Sequence, residues 1–548
     1  MSAGYPVADC VHMTRTTLLL GGRIYAPSAP EATAMAVTDG VITWIGLDEP
    51  GRAIHPDAAI VDLDGHFVTP AFVDAHVHAT ASGLLLDGLD LRGCGSLADC
   101  LDLVADQVGA QPGRLVWGHG WDETNWPERR PPTRDELDAV CGAAPVYLSR
   151  IDVHSAQVSS ALVDLAPDAA TEPGWSDQGP LTRDAHHDVR AAALAGLDPT
   201  QRRATQLGFL RHAASKGVAA VHECAGPNIS GRADLAELLE LAAAEDTVDV
   251  VGYWGELGEP GLAAQLGAAG LAGDLFVDGA FGSRTAALTS PYTDDPDNLG
   301  AGYLSAEQVA AHLVACSEAG VQAGFHAIGD AAVSAIVDGF AQAEKTVGLT
   351  KLAARGHRIE HLEMVSAEQA QQLASWGVIA SVQPLFDATW GGEHGMYAQR
   401  LGTKRAATLN PFAALASAGV TLAFGSDTPV TNVEPWETVR AAVAHQTDGF
   451  GISARAAFTA HTRGGWRAAG VRDGLTGTLA PGAPATYAIW RVGELLGPAA
   501  DARVQRWSTD PRSGVPPLPS LRAEDELPVC LRTVKRGTVI YQHGAFGP

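Results

Sequence analysis

The sequence predicts an α/β fold, a (β/α)8 barrel that carries a small β-sandwich domain built from both chain termini. Three observations support this prediction. Short apolar runs rich in β-branched residues alternate with Ala- and Leu-rich helical runs through the middle of the 548-residue chain. Eight such strand-like runs occur, the number that closes a parallel barrel. Both chain ends carry strand patterns separated by Gly and Pro turns.

The predicted sandwich takes residues 1–66 from the N-terminal end and 471–548 from the C-terminal end. Residues 35–47 contain two short strands around Asp39-Gly40. This dipeptide is a strong β-hairpin signal because both positions tolerate a positive φ. Similar strand and turn patterns recur near the C-terminus, so we expect the two ends to share one domain.

The predicted barrel covers residues 67–470, with helical runs between most of its strands. Its strand-like runs lie at 67–78, 217–223, 248–254, 274–280, 321–330, 357–363, 378–384 and 421–427. An insertion at about 80–215 separates the first two strands. The insertion is rich in Trp, Arg and Pro, a composition typical of a lid or a pocket wall.

The composition excludes several classes of protein. Hydrophobic residues make up 46% and charged residues 18% of the chain, which is ordinary for a globular protein. A net charge of −26 without a basic run argues against nucleic-acid and anionic-membrane partners. The seven cysteines form no C-x-x-C pair, and neither a signal peptide nor a membrane span is recognisable. We therefore expect a cytoplasmic protein.

Histidines and one acid fall at the carboxyl ends of the predicted strands. His76 and His78 end the first strand, and their spacing places both side chains on one face. His326, His361 and Asp427 end the fifth, sixth and eighth strands. A single strand histidine is more often a hydrogen-bonded core residue. This ordered set instead predicts a divalent metal site where barrel active sites lie.

Several longer stretches resemble the metal-dependent amidohydrolase superfamily, in particular its YtcJ-like and N-substituted formamide deformylase-like branch. The resemblance covers nearly the whole chain and includes TPAFVDAHVH, GWDETNWPERRPPTRDELDAV, PVYLSRIDVHSAQVSS, LFVDGAFGSRTAAL, FHAIGDAAV, HRIEHLE and FGSDTPVTNVEPWETV. It implies a barrel with a flanking β-sandwich, a small-molecule substrate and, from habit in the superfamily, a homodimer. It also implies that His76, His78, His326, His361 and Asp427 are the metal and catalytic positions.

The resemblance further implies a mechanism. A metal lowers the pKa of a bound water, and Asp427 takes the proton of that water and later protonates the leaving nitrogen. The metal and a nearby histidine polarise the scissile carbonyl. Asp427, His361 and His326 are therefore the expected catalytic residues.

The sequence departs from the binuclear members of the superfamily at one position. Those members carry a carboxylated lysine on the fourth strand, but Asp274 occupies that position here, and no lysine occurs between 217 and 344. Either the site is mononuclear or another carboxylate bridges two ions, with Glu223 and Asp278 as candidates. Asp274 lies four residues farther than Asp278 from the carboxyl end of the predicted fourth strand. We expect one or two divalent ions per chain, zinc first, with iron or manganese as alternatives.

Five residues are candidates for substrate contact. Arg284 follows the fourth predicted strand, where a guanidinium can bind a carboxylate or carbonyl through two hydrogen bonds. Arg150 and His154 belong to the LSRIDVHS segment, which resembles the substrate side of the family. Trp121 is a candidate for an apolar wall, and Asp278 is a further substrate-side candidate.

The leading functional prediction is hydrolysis of the C–N bond of an amide, a formamide or a cyclic amide. One alternative is a mononuclear aminohydrolase that deaminates a heterocycle. Such deaminases usually carry a glutamate shortly before the sixth-strand histidine. Glu360 directly precedes His361, and strand alternation turns adjacent side chains to opposite faces. A second alternative is a catalytically silent barrel that acts as a binding protein.

Overall fold

A computed structural model describes residues 15–497, 516–544 and 546–547. The chain forms two compact units. One contains residues 1–71, 474–520 and 528–548, and the other contains residues 72–473 and 521–527. The sequence prediction placed the boundaries between the two domains after residues 66 and 470, whereas the compact units change after residues 71 and 473.

The larger unit contains the predicted (β/α)8 barrel. Eight parallel strands pair in chain order, and a bridge between Val77 and Thr428 joins the first strand to the segment that follows the eighth. The barrel strands are Phe72–Val77, Val218–Ala225, Asp249–Trp254, Gly270–Leu271, Gln322–Ala327, Arg358–His361, Ile379–Val382 and Thr421–Phe424. The fold class predicted from the sequence is confirmed.

Two predicted strands differ from the structure. The run 67–78 contains a sandwich strand, Phe67–Pro70, and a separate barrel strand, Phe72–Val77. The fourth barrel strand is Gly270–Leu271 rather than 274–280. Residues 274–280 instead form a loop. This loop pairs with the barrel through an isolated β-bridge between Phe276 and His326. A strand of two residues is too short to show any hydrophobic period.

Helices alternate with the barrel strands, and several of them begin at a residue whose side chain caps the first turn. Ser305 and Ser366 each form a capping box, in which the serine side chain and a glutamine three residues later satisfy free backbone amides. The longer helices are Ala79–Asp87, Leu97–Ala110, Arg134–Cys141, Arg183–Ala195, Pro199–Ser215, Arg232–Ala244, Ala306–Ala319, Asp330–Val347, Ala367–Ser375 and Pro435–Val443. The shorter helices are Asp48–Ile54, Ser160–Val163, Gly261–Leu266, Leu349–Ala353, Pro384–Trp390, Met396–Leu401, Thr403–Ala406, Phe412–Ala418, Ala454–Thr459 and Gly465–Ala468.

The insertion after the first barrel strand forms a small sheet of its own. Its strands, in spatial order, are Leu181–Thr182, Ser155–Val158, Val146–Arg150, Val116–Trp121 and Leu89–Asp90. The turn between the second and third of these strands, residues 151–154, carries side chains that enter the cavity described below.

The smaller unit is a β-sandwich with strands from both ends of the chain. One sheet contains Thr16–Leu20, Ala34–Thr38, Val41–Gly46 and Ala59–Asp62. The other contains Arg23–Ile24, Phe67–Pro70, Tyr487–Arg491, Val529–Lys535 and Thr538–Gln542. Side chains of both sheets, such as Met35 and Ile489, share one buried core.

Disulfide bonds and membrane-spanning helices can be assessed for the described residues. No disulfide joins the six cysteines there, and Cys10 lies outside the described residues. None of the described helices combines the length and apolar character that a membrane span needs.

The short fourth strand makes Gly270 sensitive to substitution. A Cβ atom at this position would lie 2.5 Å from the carbonyl oxygen of Gln322 on the neighbouring strand. We expect Gly270→Ala to lower the free energy of unfolding by about 1–3 kcal/mol, measured by urea denaturation. Gly261→Ala is the control because no atom lies within 4 Å of its Cβ position. Equal stability of Gly270→Ala and the wild type would contradict this account of the strand.

Candidate active site

Four side chains from three separate barrel segments converge at the carboxyl edge of the sheet. His76 is the second-last residue of the first strand and His78 directly follows that strand, while Asp274 and Asp427 follow the fourth and eighth strands. His76 Nε2 lies 3.3 Å from Asp274 Oδ1 and 3.4 Å from Asp427 Oδ1. His78 Nε2 lies 3.3 Å from Asp274 Oδ2 and 3.2 Å from Asp427 Oδ1. All four side chains are buried.

Each of these imidazole–carboxylate separations is of the size found between two ligands of one zinc ion, and the atoms of His76, His78 and Asp427 lie close enough to share one cation. Zinc binds imidazole nitrogen and carboxylate oxygen at about 2.0–2.2 Å, so neighbouring ligand atoms of a tetrahedral site lie about 3.3–3.6 Å apart. His76 Nε2, Asp274 Oδ1 and Asp427 Oδ1 are sealed from solvent and have no hydrogen-bond partner in the described part of the chain. Buried polar atoms of this kind are costly unless a partner satisfies them. The donor set therefore suits a divalent cation.

The electrostatics of the cluster also call for positive charge. Burial disfavours the charged form of His78, but the neighbouring carboxylates of Asp274 and Asp427 outweigh it and raise the His78 pKa to about 9. Burial likewise opposes ionisation of Asp274, yet His76 and His78 hold its pKa well below its usual range. The two carboxylates thus remain ionised and attract cations. A divalent ion supplies that charge without protonating the imidazoles.

His326 and His361 lie beside this cluster. Their ring centroids are 4.4 Å apart, and the His361 ring lies 5.0 Å from that of His76. Neither ring nitrogen of His326 has a hydrogen-bond partner among the described residues. His361 Nδ1 pairs with Gln383 Oε1 at 2.8 Å, which leaves Nε2 for another ligand. Atoms of His76, Asp274 and His361 form a second group close enough to share one cation.

Two of these residues adopt backbone conformations that side chains normally avoid. His361 has a φ of 69° and Asp427 has a φ of 55°. Non-glycine residues in this region carry strain of about 1–3 kcal/mol and concentrate at functional sites. The positive φ at His361 also interrupts the strand alternation, so Glu360 and His361 both reach the cluster.

Glu360 and Arg358 orient His76 from inside the barrel. Glu360 Oε2 lies 3.0 Å from His76 Nδ1, and Arg358 donates to both carboxylate oxygens of Glu360, at 2.5 and 2.8 Å. Burial opposes the charge of Glu360, but Arg358 and His76 keep its pKa well below the usual range. A carboxylate behind a histidine fixes the tautomer and ring orientation that metal binding requires.

Glu223, predicted from the sequence as a metal ligand, lies outside the groups that converge on a common point. Its Oε2 accepts a 2.7 Å hydrogen bond from the backbone N–H of Ala79, the residue after His78. Burial raises the pKa of Glu223 to about 7. In this position Glu223 fixes the chain that carries His78, and its role as a ligand stays a prediction.

Asp274 is the ligand-type residue whose reach the sequence reasoning underestimated. With the fourth strand placed at 274–280, Asp274 began the strand and lay far from the barrel edge. The strand instead ends at Leu271, so Asp274 follows that edge and contacts His76 and His78. The match of Asp274 to the family lysine position was the signal that pointed to it.

A cavity opens beside the cluster, and its empty space, counted together with the open solvent at its mouth, is about 330 Å³. Its polar lining comes from Asp152, His154, His326, His361, Glu363 and Asp427. Its apolar lining comes from Ala280, Phe281, Ile328, Phe386, Trp390, Met396, Tyr397 and Val430. The cavity is therefore a pocket for a small, largely apolar molecule, with the catalytic candidates on one wall.

Arg150 does not offer its guanidinium to this cavity. Its Nε donates to Glu123 at 3.0 Å, Nη1 to Asp152 at 2.9 Å and Nη2 to Asp122 at 2.8 Å. The side chain is buried, and these carboxylates neutralise it. These contacts fix the conformation of residues 150–154, because Asp152 also accepts a hydrogen bond from the backbone N–H of His154.

Arg284 and Trp121 also lie outside the cavity lining. Arg284 pairs with Asp294 at 2.8 Å in a partly exposed loop. Trp121 is buried, and its Nε1 donates to the carbonyl oxygen of Leu148 at 2.9 Å. Both contacts are typical of structural residues, and their predicted roles in substrate binding stay predictions.

His154 and Asp278 do lie at or behind the cavity. His154 lines it, with a ring centroid 5.2 Å from that of His326. Burial, with help from His326, lowers the pKa of His154 to about 4, so its imidazole is neutral at neutral pH. Asp278 is buried behind His326, with Oδ1 at 3.6 Å from His326 Nδ1. It also accepts backbone hydrogen bonds from Ile328 and Gly329, at 3.0 and 2.8 Å.

Glu363 is a cavity residue that the sequence reasoning did not select. It ends the HRIEHLE run, two residues after His361, and burial raises its pKa to about 7. Its position beside a predicted ligand was the available signal.

Comparison with known proteins identifies the family of this chain. The family model of the amidohydrolase family matches residues 59–541. The chain belongs to the amidohydrolase family, and it is an enzyme that hydrolyses carbon–nitrogen bonds.

Three relatives and one solved structure illustrate the similarity. The chain is 28% identical to protein LONG AFTER FAR-RED 3 of Arabidopsis thaliana, over 86% of each chain. It is 26% identical to YtcJ of Bacillus subtilis (strain 168), over 78% of this chain and 83% of YtcJ. It is 24% identical to an N-substituted formamide deformylase of Arthrobacter pascens, over 76% and 81% of the two chains. An uncharacterized metal-dependent hydrolase from Pyrococcus furiosus superposes with a TM-score of 0.67 at 28% identity, over 86% and 98% of the chains.

The contact behind His76 generates a testable prediction. We expect Glu360→Gln to weaken metal affinity by about 10- to 100-fold, because the ring of His76 loses its charged partner. Competition with a fluorescent zinc chelator measures this change. Glu368→Gln, on the exposed first turn of a helix, is the matched control and should bind as the wild type does. Unchanged affinity in Glu360→Gln would show that Glu360 does not support the site.

Proposed function

We propose that this enzyme hydrolyses the C–N bond of an amide, a formamide or a cyclic amide of a small molecule, with a divalent metal at its centre. The observation that carries the proposal is the convergence of His76, His78, Asp274 and Asp427 beside an apolar cavity. The similarity to an N-substituted formamide deformylase supports the formamide as the first substrate class to test.

The donor set supports zinc as the metal, with iron and manganese as the alternatives. Imidazole nitrogens together with carboxylate oxygens, as in the group His76, His78 and Asp427, suit zinc. His326 and His361, with Asp274 in reach of His361, supply donors for a second ion, so one or two ions per chain remain open. When bound, such an ion lowers the pKa of a water molecule and polarises a carbonyl.

Protein side chains carry out the proton transfers in this proposal. Asp427 lines the cavity, and although burial opposes its ionisation, His76, His78 and His361 keep its pKa below the usual value, so that its carboxylate remains ionised. It accepts the proton of the attacking water and returns it to the departing nitrogen, so that a carboxylic acid and an amine form. His154, neutral and facing the cavity, donates a hydrogen bond to the carbonyl oxygen.

Two observations weigh against the alternative functions. Deaminases of this kind usually carry the shuttle glutamate shortly before the sixth-strand histidine, but Glu360 at that position is bound by Arg358 and His76. A silent binding protein would not need the complete donor set that this chain retains. The scattered cysteines, which form no C-x-x-C pair, support a cytoplasmic location as part of the proposal. A homodimer, which is common in the superfamily, is proposed as the oligomeric state.

The decisive variant for the proton transfer is Asp427→Asn. We expect kcat for an N-substituted formamide to fall by about 10²- to 10⁴-fold, since the amide cannot accept the proton. Amine release, followed with a fluorogenic amine reagent, measures the rate. Glu434→Gln, which removes a partly exposed ion pair with Lys216, is the control and should retain activity. Full activity of Asp427→Asn would refute this role.

Removal of the metal tests the proposed function itself. Dialysis against a chelator should abolish hydrolysis, and one divalent metal added back should restore it. The assay compares an N-substituted formamide, an acetamide, a cyclic amide and an aminated heterocycle. Ammonia release from the heterocycle alone would establish the deaminase, and activity that survives complete metal removal would contradict the proposal.

A further inference from the structure

The cavity contains acidic side chains and no available cation. Among its described lining residues, Asp152, Glu363 and Asp427 are acidic, and neither lysine nor arginine is present. Three histidines and Tyr397 supply its other titratable groups. Substrates with a carboxylate would therefore find no guanidinium or ammonium partner on these walls.

Two arginines, Arg150 and Arg400, contact residues of the lining, but their guanidinium groups already donate hydrogen bonds to other partners. Arg150 binds three carboxylates, as described above. Arg400 donates Nε to the carbonyl oxygen of Gly282 at 3.2 Å, Nη1 to Asp294 at 2.7 Å and Nη2 to Glu123 at 3.1 Å. Both guanidinium groups thus stabilise the wall of the cavity and do not offer it positive charge.

Glu363 differs from the other acidic residues of the cavity because one of its two carboxylate oxygens accepts no hydrogen bond from the described residues. Tyr397 donates to Oε2 at 2.5 Å, and Asn410 Nδ2 approaches the same oxygen at 3.4 Å. Within the described residues no hydrogen bond reaches Oε1. Asp152, in contrast, uses both oxygens on Arg150, Ser283 and the backbone of His154. Asp427 belongs to the metal cluster.

The same part of the cavity carries its aromatic wall. Phe386 stacks on His361 with centroids 5.9 Å apart, and Trp390 meets Phe386 edge-on at 4.9 Å. Tyr397, which holds Glu363, contacts this wall through Trp390 at 6.3 Å. A flat apolar group placed here would bring a neighbouring nitrogen within the reach of Glu363.

From this arrangement we infer that Glu363 is a specificity-determining residue whose Oε1 accepts a hydrogen bond from nitrogen in the amine portion of the substrate. The nitrogen is an amide N–H before hydrolysis and an ammonium group in the amine product. The cavity therefore selects aromatic amides with a neutral or cationic amine portion and rejects anionic ones. This inference rests on the proposed function and names its substrate class.

A binding experiment tests the inference without requiring turnover. Isothermal titration calorimetry of the zinc-loaded protein compares three ligands of one shape, 2-phenylethylamine, 2-phenylethanol and 2-phenylethanesulfonate. At about pH 8 the amine is a cation and the sulfonate an anion. We expect the amine to bind about tenfold more tightly than the alcohol, and the sulfonate to bind least.

Variants assign the preference to Glu363. In Glu363→Gln the amine and the alcohol should bind within about twofold of each other, because the side chain keeps its shape and loses its charge. Glu363→Asp retains the charge and should keep a preference for the amine. Glu368→Gln, exposed and outside the cavity, should bind all three ligands as the wild type does.

Each outcome decides the inference separately from the proposed function. A wild type that binds the sulfonate as tightly as the amine overturns the inference, as does an amine preference that survives in Glu363→Gln. Either result is compatible with hydrolysis of neutral amides, which the metal-removal assay tests. Selective amine binding without any amide hydrolysis would support the charge selection and remove the proposed reaction.

Discussion

The structure depends on one electrostatic constraint, the burial of two carboxylates and two imidazoles within 3.2–3.4 Å of one another. Such a cluster is unfavourable without a cation, because water can no longer solvate the charges. A divalent ion bound to these side chains would remove the penalty and would hold three separate barrel segments together. The same ion is the one that the family chemistry requires, so stability and function share one origin.

Much of the surrounding structure serves this cluster. Arg358 and Glu360 fix His76 from below, and Asp278 fixes the loop that follows His326. Gly270 lets the short fourth strand approach its neighbour closely enough to deliver Asp274. The insertion supplies a turn, held by hydrogen bonds of Arg150 to Glu123 and Asp122, whose side chains line the cavity. The catalytic edge is thus positioned by buried ion pairs, not by apolar packing alone.

The sequence predicted the barrel and the ordered histidines because alternation and strand-end position are local properties. It misplaced the fourth strand because two residues carry no period, and that error hid the reach of Asp274. Arg150 matched the family segment, but only tertiary structure shows its three carboxylate partners. Glu363 was missed because hydrogen-bond saturation depends on residues distant in sequence, such as Tyr397.

The central claim is that Asp274, in the place of the lysine, helps to hold the metal. Metal content per chain, measured by elemental analysis of Asp274→Asn and Glu223→Gln purified in parallel with the wild type, tests it directly. The account predicts that Asp274→Asn loses most of the metal, whereas Glu223→Gln retains the wild-type content. Wild-type metal content in Asp274→Asn, with loss in Glu223→Gln, would contradict the account and assign the ligand to Glu223.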